Sequence, residues 1–325
     1  MVMPRPMTGA HPSLDPDFIR AQLNSWQPRG AIYRPDESIS WMGGGAGAFF
    51  AMPHRKDTVR LFLTGRDEAI RSRIGIVDLR WSERPEVIDV TREPVFDLGE
   101  PGSFDMDGVS YPCLVEADGA LLMYYVGWNR LAGEIPFRNQ IGLAISEDRG
   151  KTFRRVTKAP LLPLTDAESI GSGSCCVERV TGGWRLYYTN FLRWERRPEG
   201  PRHYYHVREA YSKDGIHWER PGKIVIDLVP PDEYALGAPD LDIRDGHRVI
   251  HFTARGHRYQ LFASVEGADG NWTRLPGHLE IPRRDFDSDM QCYPRTLTFQ
   301  GRTYLLYSGN GYGRAGIGCA EWIGP

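Results

Sequence analysis

The stretch "GSFDMDGVSYPCLVEADGALLMYYVGWN" (residues 102–129) sets two acids, Asp105 and Asp107, ahead of a strand-like run. A Gly-containing turn and a second, more apolar run follow. Two such runs about a short turn read as a β-hairpin. The second run, "LLMYYVG" (121–127), has counterparts in "VRLFLTG" (59–65), "WRLYYTN" (184–190), "RVIHFTA" (248–254) and "TYLLYSG" (303–309). Each follows a turn and a first run: "AGAFFAM", "VSYPCLV", "SGSCCVE", "GAPDLDI" and "QCYPRTL". In ungapped register Phe50, Pro112, Cys175, Pro239 and Pro294 coincide.

A third run comes next in each case, at 72–79, 139–146, 205–212, 259–265 and 316–322. Fourth runs follow as "RPEVIDVT", "FRRVTKAP", "GKIVIDL" and "TRLPGHLEI". Five four-stranded antiparallel units, at a spacing of roughly 55 to 65 residues, predict an all-β chain folded as a five-bladed β-propeller. The last unit reaches Pro325 without a fourth run, so a segment within 24–34 is expected to supply it and close the ring. "SLDPDFIRAQL" (13–23) predicts one short helix, with Asp15 as N-cap and Pro16 in the first helical position. No linker divides the chain. Residues 1–325 are expected to form a single domain, in which 1–30 is an extension carrying the helix and the closing strand.

Two third runs lead into related turns. "SEDRGKTF" (146–153) fits the Asp-box pattern, and "SKDGIHW" (212–218) is a variant of it. In such a turn Asp accepts backbone N–H bonds, Gly takes the positive φ and the aromatic packs beneath.

Composition narrows the function classes. Charged residues make up 25% of the chain, the net charge is -2, and no long basic block occurs, which disfavours a nucleic-acid partner. No run of about 18 apolar residues is present, so no membrane span is expected. "MVMPRPMTGAHPS" has no apolar core of a signal peptide. The five Cys are an odd number in strand-like surroundings, which predicts reduced, buried thiols and a cytoplasmic location. Cys175 and Cys176 are adjacent rather than spaced as CxxC, so no zinc site is expected. His203 and His206 would point to opposite faces of a strand and share no metal. His206 alone could reach a central axis, where a single structural ion is possible; no other cofactor is expected.

In a propeller the residues just before the first strands converge on one funnel. Acids occupy those positions: Asp36 and Glu37, Asp105 and Asp107, Asp166 and Glu168, Asp232 and Glu233, then Asp285, Asp287 and Asp289. Unit register superposes Asp105, Glu168, Asp232 and Asp287, and also Asp107 and Asp289. Asp favours such positions for its turn bonds alone. Carboxylates crowded in a funnel would also raise one another's pKa, as glycoside cleavage by an acid and a base requires. Trp41, Tyr111, Trp128, Tyr234 and Tyr293 are candidates to contact sugar rings, with Arg66, Arg208 and Arg295 as polar contacts. "MGGGAG" (42–47) lacks the Lys and helix of a phosphate loop and reads as a rim left open for ligand.

With these features the sequence resembles the five-bladed propeller glycosidases, the group containing families 43, 32, 68, 117 and 130. The resemblance spans about 38–322. It rests on the five-fold hairpin pattern, the two turn motifs, "APDL" (238–241) and "YLLYSGNGYGRAGIG" (304–318). It implies three acids on successive first strands, here Asp107 as base or nucleophile, Glu168 as general acid and Asp289 or Asp240 as modulator, acting on a small-molecule or oligosaccharide substrate. The chain departs from families 43 and 32 at the first unit, where Gly43 and Gly45 stand in place of an acid. It also lacks the "NDPNG"-like and "ECP"-like motifs of fructan-cleaving members. Sialidases share the turn motif but need six blades. The competing expectation is a non-catalytic propeller that binds carbohydrate or protein.

Overall fold

A computed structural model of the protein describes residues 15–244 and 246–324. The expected helix lies over Pro16–Asn24, with the Asp15 side chain accepting from Asp17 N and Pro16 opening the first turn; residues 13 and 14 lie outside the described residues. Apart from this helix and a 3-10 turn at Asp285–Asp287, the regular structure among the described residues is all strand.

The strands group into five antiparallel units. Unit 1 contains Ala46–Arg55, Thr58–Arg66, Ser72–Arg80 and Glu86–Val90. Unit 2 contains Gly108–Ala117, Ala120–Arg130, Phe137–Ser146 and Arg154–Arg155. Unit 3 has Ser172–Val180, Gly183–Glu195 and Arg202–Ser212. Its fourth position is split into Trp218–Glu219 and Ile224–Ile226. Pro221, which has no N–H for the ladder, falls in that break. Unit 4 contains Ala235–Arg244, His247–Arg255, Tyr259–Glu266 and Trp272–His278. Unit 5 has Cys292–Phe299, Arg302–Ser308 and Ile317–Trp322. Its fourth strand is Trp26–Tyr33, which pairs antiparallel to Ile317–Trp322 with Trp26 opposite Trp322. That segment lies inside the 24–34 window.

The inner strands are buried in near-continuous runs, as in Thr58–Arg66, Ser72–Arg80 and His247–Arg255, and the core falls into five apolar clusters, each shared by two units. Phe62 and Ile74 of unit 1 meet Val109 and Met123 of unit 2. Cys113 and Tyr124 meet Cys175 and Tyr188, and Tyr187 and Val207 meet Leu236 and Ile250. Leu261 and Val265 meet Leu305 and Tyr307. The fifth cluster joins Leu297 and Leu306 of unit 5 to Leu61 and Leu63 of unit 1. All five cysteines are unpaired thiols and buried.

Every first strand carries a bulge near its start, seen as a register shift at 46/49, 110/113, 172/175, 237/240 and 292/295. A bulge re-aims side chains and increases local twist. In four of these bulges a non-Gly residue sits in the left-handed region: Ala48, Tyr111, Ala238 and Tyr293, at φ 54°, 50°, 52° and 58°. For an aromatic side chain this backbone is strained and needs outside support. A hydroxyl of a neighbouring unit supplies it. Tyr111 N donates to Thr64 Oγ1 (3.1 Å), Ala238 N to Ser174 Oγ (2.7 Å) and Tyr293 N to Thr253 Oγ1 (2.8 Å).

The Ser146–Phe153 turn is tied through Asp148. Its carboxylate accepts from Thr152 N (3.0 Å) and from the Thr152 hydroxyl (2.6 Å), which hold its pKa down to about 2.

Candidate functional site

The bulges place Tyr111, Ser174, Ala238 and Tyr293 at the floor of a cavity of about 740 Å³. Its walls come from a repeated position. Arg66, Trp128, Phe191 and Arg255 each follow the aligned second-strand run of their unit, and all four line the cavity. Three of their cross-strand partners line it as well: Asn139 opposite Trp128, Tyr205 opposite Phe191, and Tyr259 opposite Arg255. The Trp128 indole is fixed by an N–H bond to Ser72 Oγ at 2.7 Å.

The lining is aromatic and hydroxyl-rich. His203 and Tyr205 stack at 5.1 Å and 10°. Tyr111 and Tyr293 meet edge to face at 5.1 Å, and the Tyr259 and Tyr312 hydroxyls lie 3.1 Å apart. Burial pushes the Tyr111 phenol up to about 12, and those of Tyr205, Tyr259 and Tyr293 higher still, so these groups stay protonated and can donate. His203 is pushed down to about 4, first by burial and then by the charge of Arg255, so it is neutral near pH 7. Three arginines, Arg66, Arg130 and Arg255, line the cavity with a single carboxylate, Glu68.

Of the residues expected to contact a sugar, Arg66, Tyr111, Trp128 and Tyr293 line this cavity. The other four do not. Trp41 is 2% exposed, donates to Thr91 O (2.9 Å), and lies so close to Gly65 and Gly75 that a Cβ on either would come within 2.4 Å of its ring. It is a core residue of unit 1. Arg208 is held by Glu168 (3.1 Å) and His206 Nε2 (2.9 Å). Tyr234 packs against the guanidinium of Arg255, at 5.1 Å. Arg295 is 6% exposed and joins first strands of several units. It donates to Asp240 (2.8 Å), to Phe49 O (3.2 Å) and to Pro112 O (3.5 Å).

The "MGGGAG" rim is filled rather than open. A Cβ at Gly47 would lie 1.7 Å from Tyr312 O, and one at Gly44 would lie 2.6 Å from Asp67 O. These glycines let other backbone approach. His206, expected to reach an axis, is instead engaged at both ring nitrogens, by Asp227 (3.1 Å) and by Arg208.

None of the four acids expected to act in catalysis is among the residues lining the cavity. Glu168 is 7% exposed and accepts from Tyr188 (2.7 Å), Arg208 (3.1 Å) and Arg220 (2.8 Å). Asp240 is 5% exposed and accepts from Arg295 (2.8 Å) and Thr296 N (2.6 Å). Asp289 is exposed. Asp107 is half-buried. It accepts from the backbone N of Arg130 at 2.8 Å, and its own N donates to Trp128 O at 3.2 Å.

The acids that unit register superposes form a repeated clamp. Tyr125 donates to Asp105 (2.9 Å), Tyr188 to Glu168 (2.7 Å) and Tyr307 to Asp287 (2.9 Å), each tyrosine standing 20 residues after its acid. Arg155 and Arg220 complete the first two, at 2.7 and 2.8 Å. In unit 4, where Phe252 replaces the tyrosine, Glu233 rather than Asp232 is the clamped acid, held in a fork by Arg274 at 2.5 and 2.6 Å.

No family model matches the chain. It is 33% identical over 300 residues to "Uncharacterized protein Rv1502" of Mycobacterium tuberculosis strain H37Rv, covering 91% of this chain and 98% of that protein. The chain belongs to the family of that mycobacterial protein. "Uncharacterized protein MT1551" of strain CDC 1551 matches to the same extent. Solved structures extend the likeness of fold. A "Glycoside hydrolase" superposes with a TM-score of 0.73 at 16% identity, covering 96% of this chain and 97% of its own. A glycosyl hydrolase from Bacteroides ovatus gives 0.70 at 16% identity, covering 96% of each chain. The Bombyx mori GH32 β-fructofuranosidase BmSUC1 gives 0.62 at 16% identity, over 93% of this chain and 64% of its own. This protein has the fold of glycoside hydrolases, as its hairpin pattern implied.

Sequence reading missed Arg130, Phe137, His203, Tyr205, Arg255 and Tyr312 of the lining. For Arg255 the signal was present: it occupies in "TAR" the position that Arg66 occupies in "TGR".

Proposed function

We propose that this protein is a carbohydrate-processing enzyme, built as a single-domain, closed five-bladed propeller, with its sugar site in the cavity. The observation that carries the reading is the cavity itself. Bulged first strands and second-strand ends from several units meet in one aromatic, hydroxyl-rich pocket, on a fold shared with glycoside hydrolases. Such a pocket suits a ring with one apolar face and many hydroxyls. The ring is supported by the shared core cluster of units 5 and 1 and by the N-terminal strand completing unit 5. It is supported too by Arg295, whose guanidinium joins first strands of units 1, 2 and 4. Reduced, buried thiols favour a cytoplasmic setting.

Glycosidic cleavage needs one carboxyl to protonate the leaving oxygen and one to attack or to activate water. We assign these roles to Glu68, which lines the cavity, and Asp107, which is bonded to the wall backbone at Arg130. Glu168 and Asp240 have their oxygens taken by arginines, which favours a structural role for both. The test is a screen of aryl glycosides and oligosaccharides with the wild type, Glu68→Gln and Asp107→Asn. Loss of turnover by roughly 10²- to 10⁴-fold in the folded variants upholds the assignment; undiminished rates in both remove it. A second reading, sugar binding without catalysis, is favoured by the presence of a single carboxylate in the lining. It predicts saturable binding with no product from any substrate.

A further inference from the structure

Nearly every arginine of this protein that is withdrawn from water has an acceptor. Arg155, Arg220, Arg274 and Arg295 are bonded to carboxylates, and Arg283 donates to the carbonyls of Asp287 and Tyr259. Arg255 is the exception: among the described residues it is the half-buried arginine with neither a carboxylate nor a carbonyl acceptor. It lies between the rings of Tyr234 (5.1 Å) and Tyr259 (4.9 Å), and it lines the cavity. Two aromatic faces hold a guanidinium in place and leave its N–H edge unused. A half-buried cation without a counter-ion is costly unless an anion arrives to pair with it.

The surroundings reinforce this. Arg66 and Arg130 bring the lining to three cations against Glu68. Neutral His203 and the protonated phenols of Tyr205 and Tyr259 add donors and no negative charge. We infer that the cavity takes a sugar carrying an anionic substituent, a carboxylate or a phosphate ester, which pairs with the free edge of Arg255. The inference rests on the reading of the cavity as the sugar site and adds the charge class of the ligand. Arginine suits such groups because its planar fork matches two oxygens at once.

The experiment is calorimetric titration at low salt with matched probes: glucuronic and galacturonic acid, glucose 6-phosphate, and neutral glucose and galactose. Each is run with the wild type, Arg255→Gln and Arg255→Lys, after thermal melts have established that the variants fold. A charged probe is expected to bind about tenfold or more tighter than its neutral partner, equivalent to about 1.4 kcal/mol. The preference should fall as salt rises, collapse to about one in Arg255→Gln and survive in part in Arg255→Lys. Whichever charged arm is stronger names the source of the anion. Equal binding of charged and neutral sugars overturns the inference and leaves the sugar-site reading standing. A preference unchanged in Arg255→Gln also overturns it. If no probe binds, both fall.

Discussion

Acids at the strand mouths and arginines at the strand ends both recur at matching positions of the repeated units, yet the protein uses them in opposite ways. Asp105, Glu168 and Asp287 are buried and saturated, each by a tyrosine of its own second strand. Arg66 and Arg255, the last residues of the second strands of units 1 and 4, line an open cavity. The difference teaches that a ring of like residues in a repeat fold is not by itself a reactive centre. A repeated residue first solves the problem each unit shares, here closing a strand mouth against the next layer. The group that departs from the repeat by lacking a partner is the better guide to a ligand.

The sharpest way to break this comparison is at the junction of the first strands. Arg295→Met leaves Asp240 buried without its cation. Breaking such a pair from one side costs about 3–5 kcal/mol, and urea unfolding should read that loss. A change below about 1 kcal/mol would mean that water reaches Asp240 and that the Arg295 bonds add little to stability.

The clamps give the next largest effect. Glu168→Gln removes a charge that Arg208 and Arg220 share and should lower stability by about 1–3 kcal/mol. Turnover or sugar affinity at a temperature where the variant is folded should be kept. A folded Glu168→Gln protein with intact stability and abolished turnover would return this residue to the catalytic role that its sequence position suggested.

Much of the fold was legible because a strand repeat leaves a period in the sequence. Aligned runs such as "LLMYYVG" and "TYLLYSG" placed the starts of the second strands to within one residue, though not their ends, which run on to Arg130 and Glu195 in units 2 and 3; the missing fourth strand of unit 5 pointed to 24–34. The fate of the acids was not legible. Whether Glu168 faces a funnel or an arginine depends on Arg208 and Arg220, 40 and 52 residues away. Hairpin pattern carries no record of pairings at that range. Trp41 misled for a related reason: Gly65 and Gly75, which make room for its ring, reveal themselves only as absent side chains. The bulges were hidden as well, because Tyr111 and Tyr293 adopt a backbone that glycine would have announced.

On the cavity side the expected effect is on affinity rather than stability. Trp128→Ala should weaken binding of a sugar probe about tenfold, roughly 1.4 kcal/mol. The indole lines the cavity and is positioned by Ser72. Ser72→Ala should reproduce a fraction of the loss by freeing the ring. Equal affinity in both variants, measured by fluorescence or calorimetric titration, would move the ligand away from this wall and unsettle the contrast between the two regions.

The smallest effect is a proton count, and it separates the regions by pH. His203 in the cavity wall is pushed down to about 4, and His251, beside Thr296 and the Asp240 junction, to about 3, both by burial first. In the unfolded chain each would protonate near the ordinary histidine value of about 6.5. As pH falls from about 6.5 toward 4, the unfolded state therefore binds more protons than the folded one, and stability declines with acidification over that window. His206, depressed in the same direction, adds to the slope. Replacing either His203 or His251 with Gln should flatten the pH dependence of urea stability, by up to one proton each. A saturating anionic sugar should shrink only the His203 share, because it would offset the charge of Arg255 that helps hold this ring neutral. If His251→Gln flattens the curve and His203→Gln does not, the cavity wall is wet enough to protonate its histidine at ordinary pH. The two regions would then differ in hydration more than in pairing.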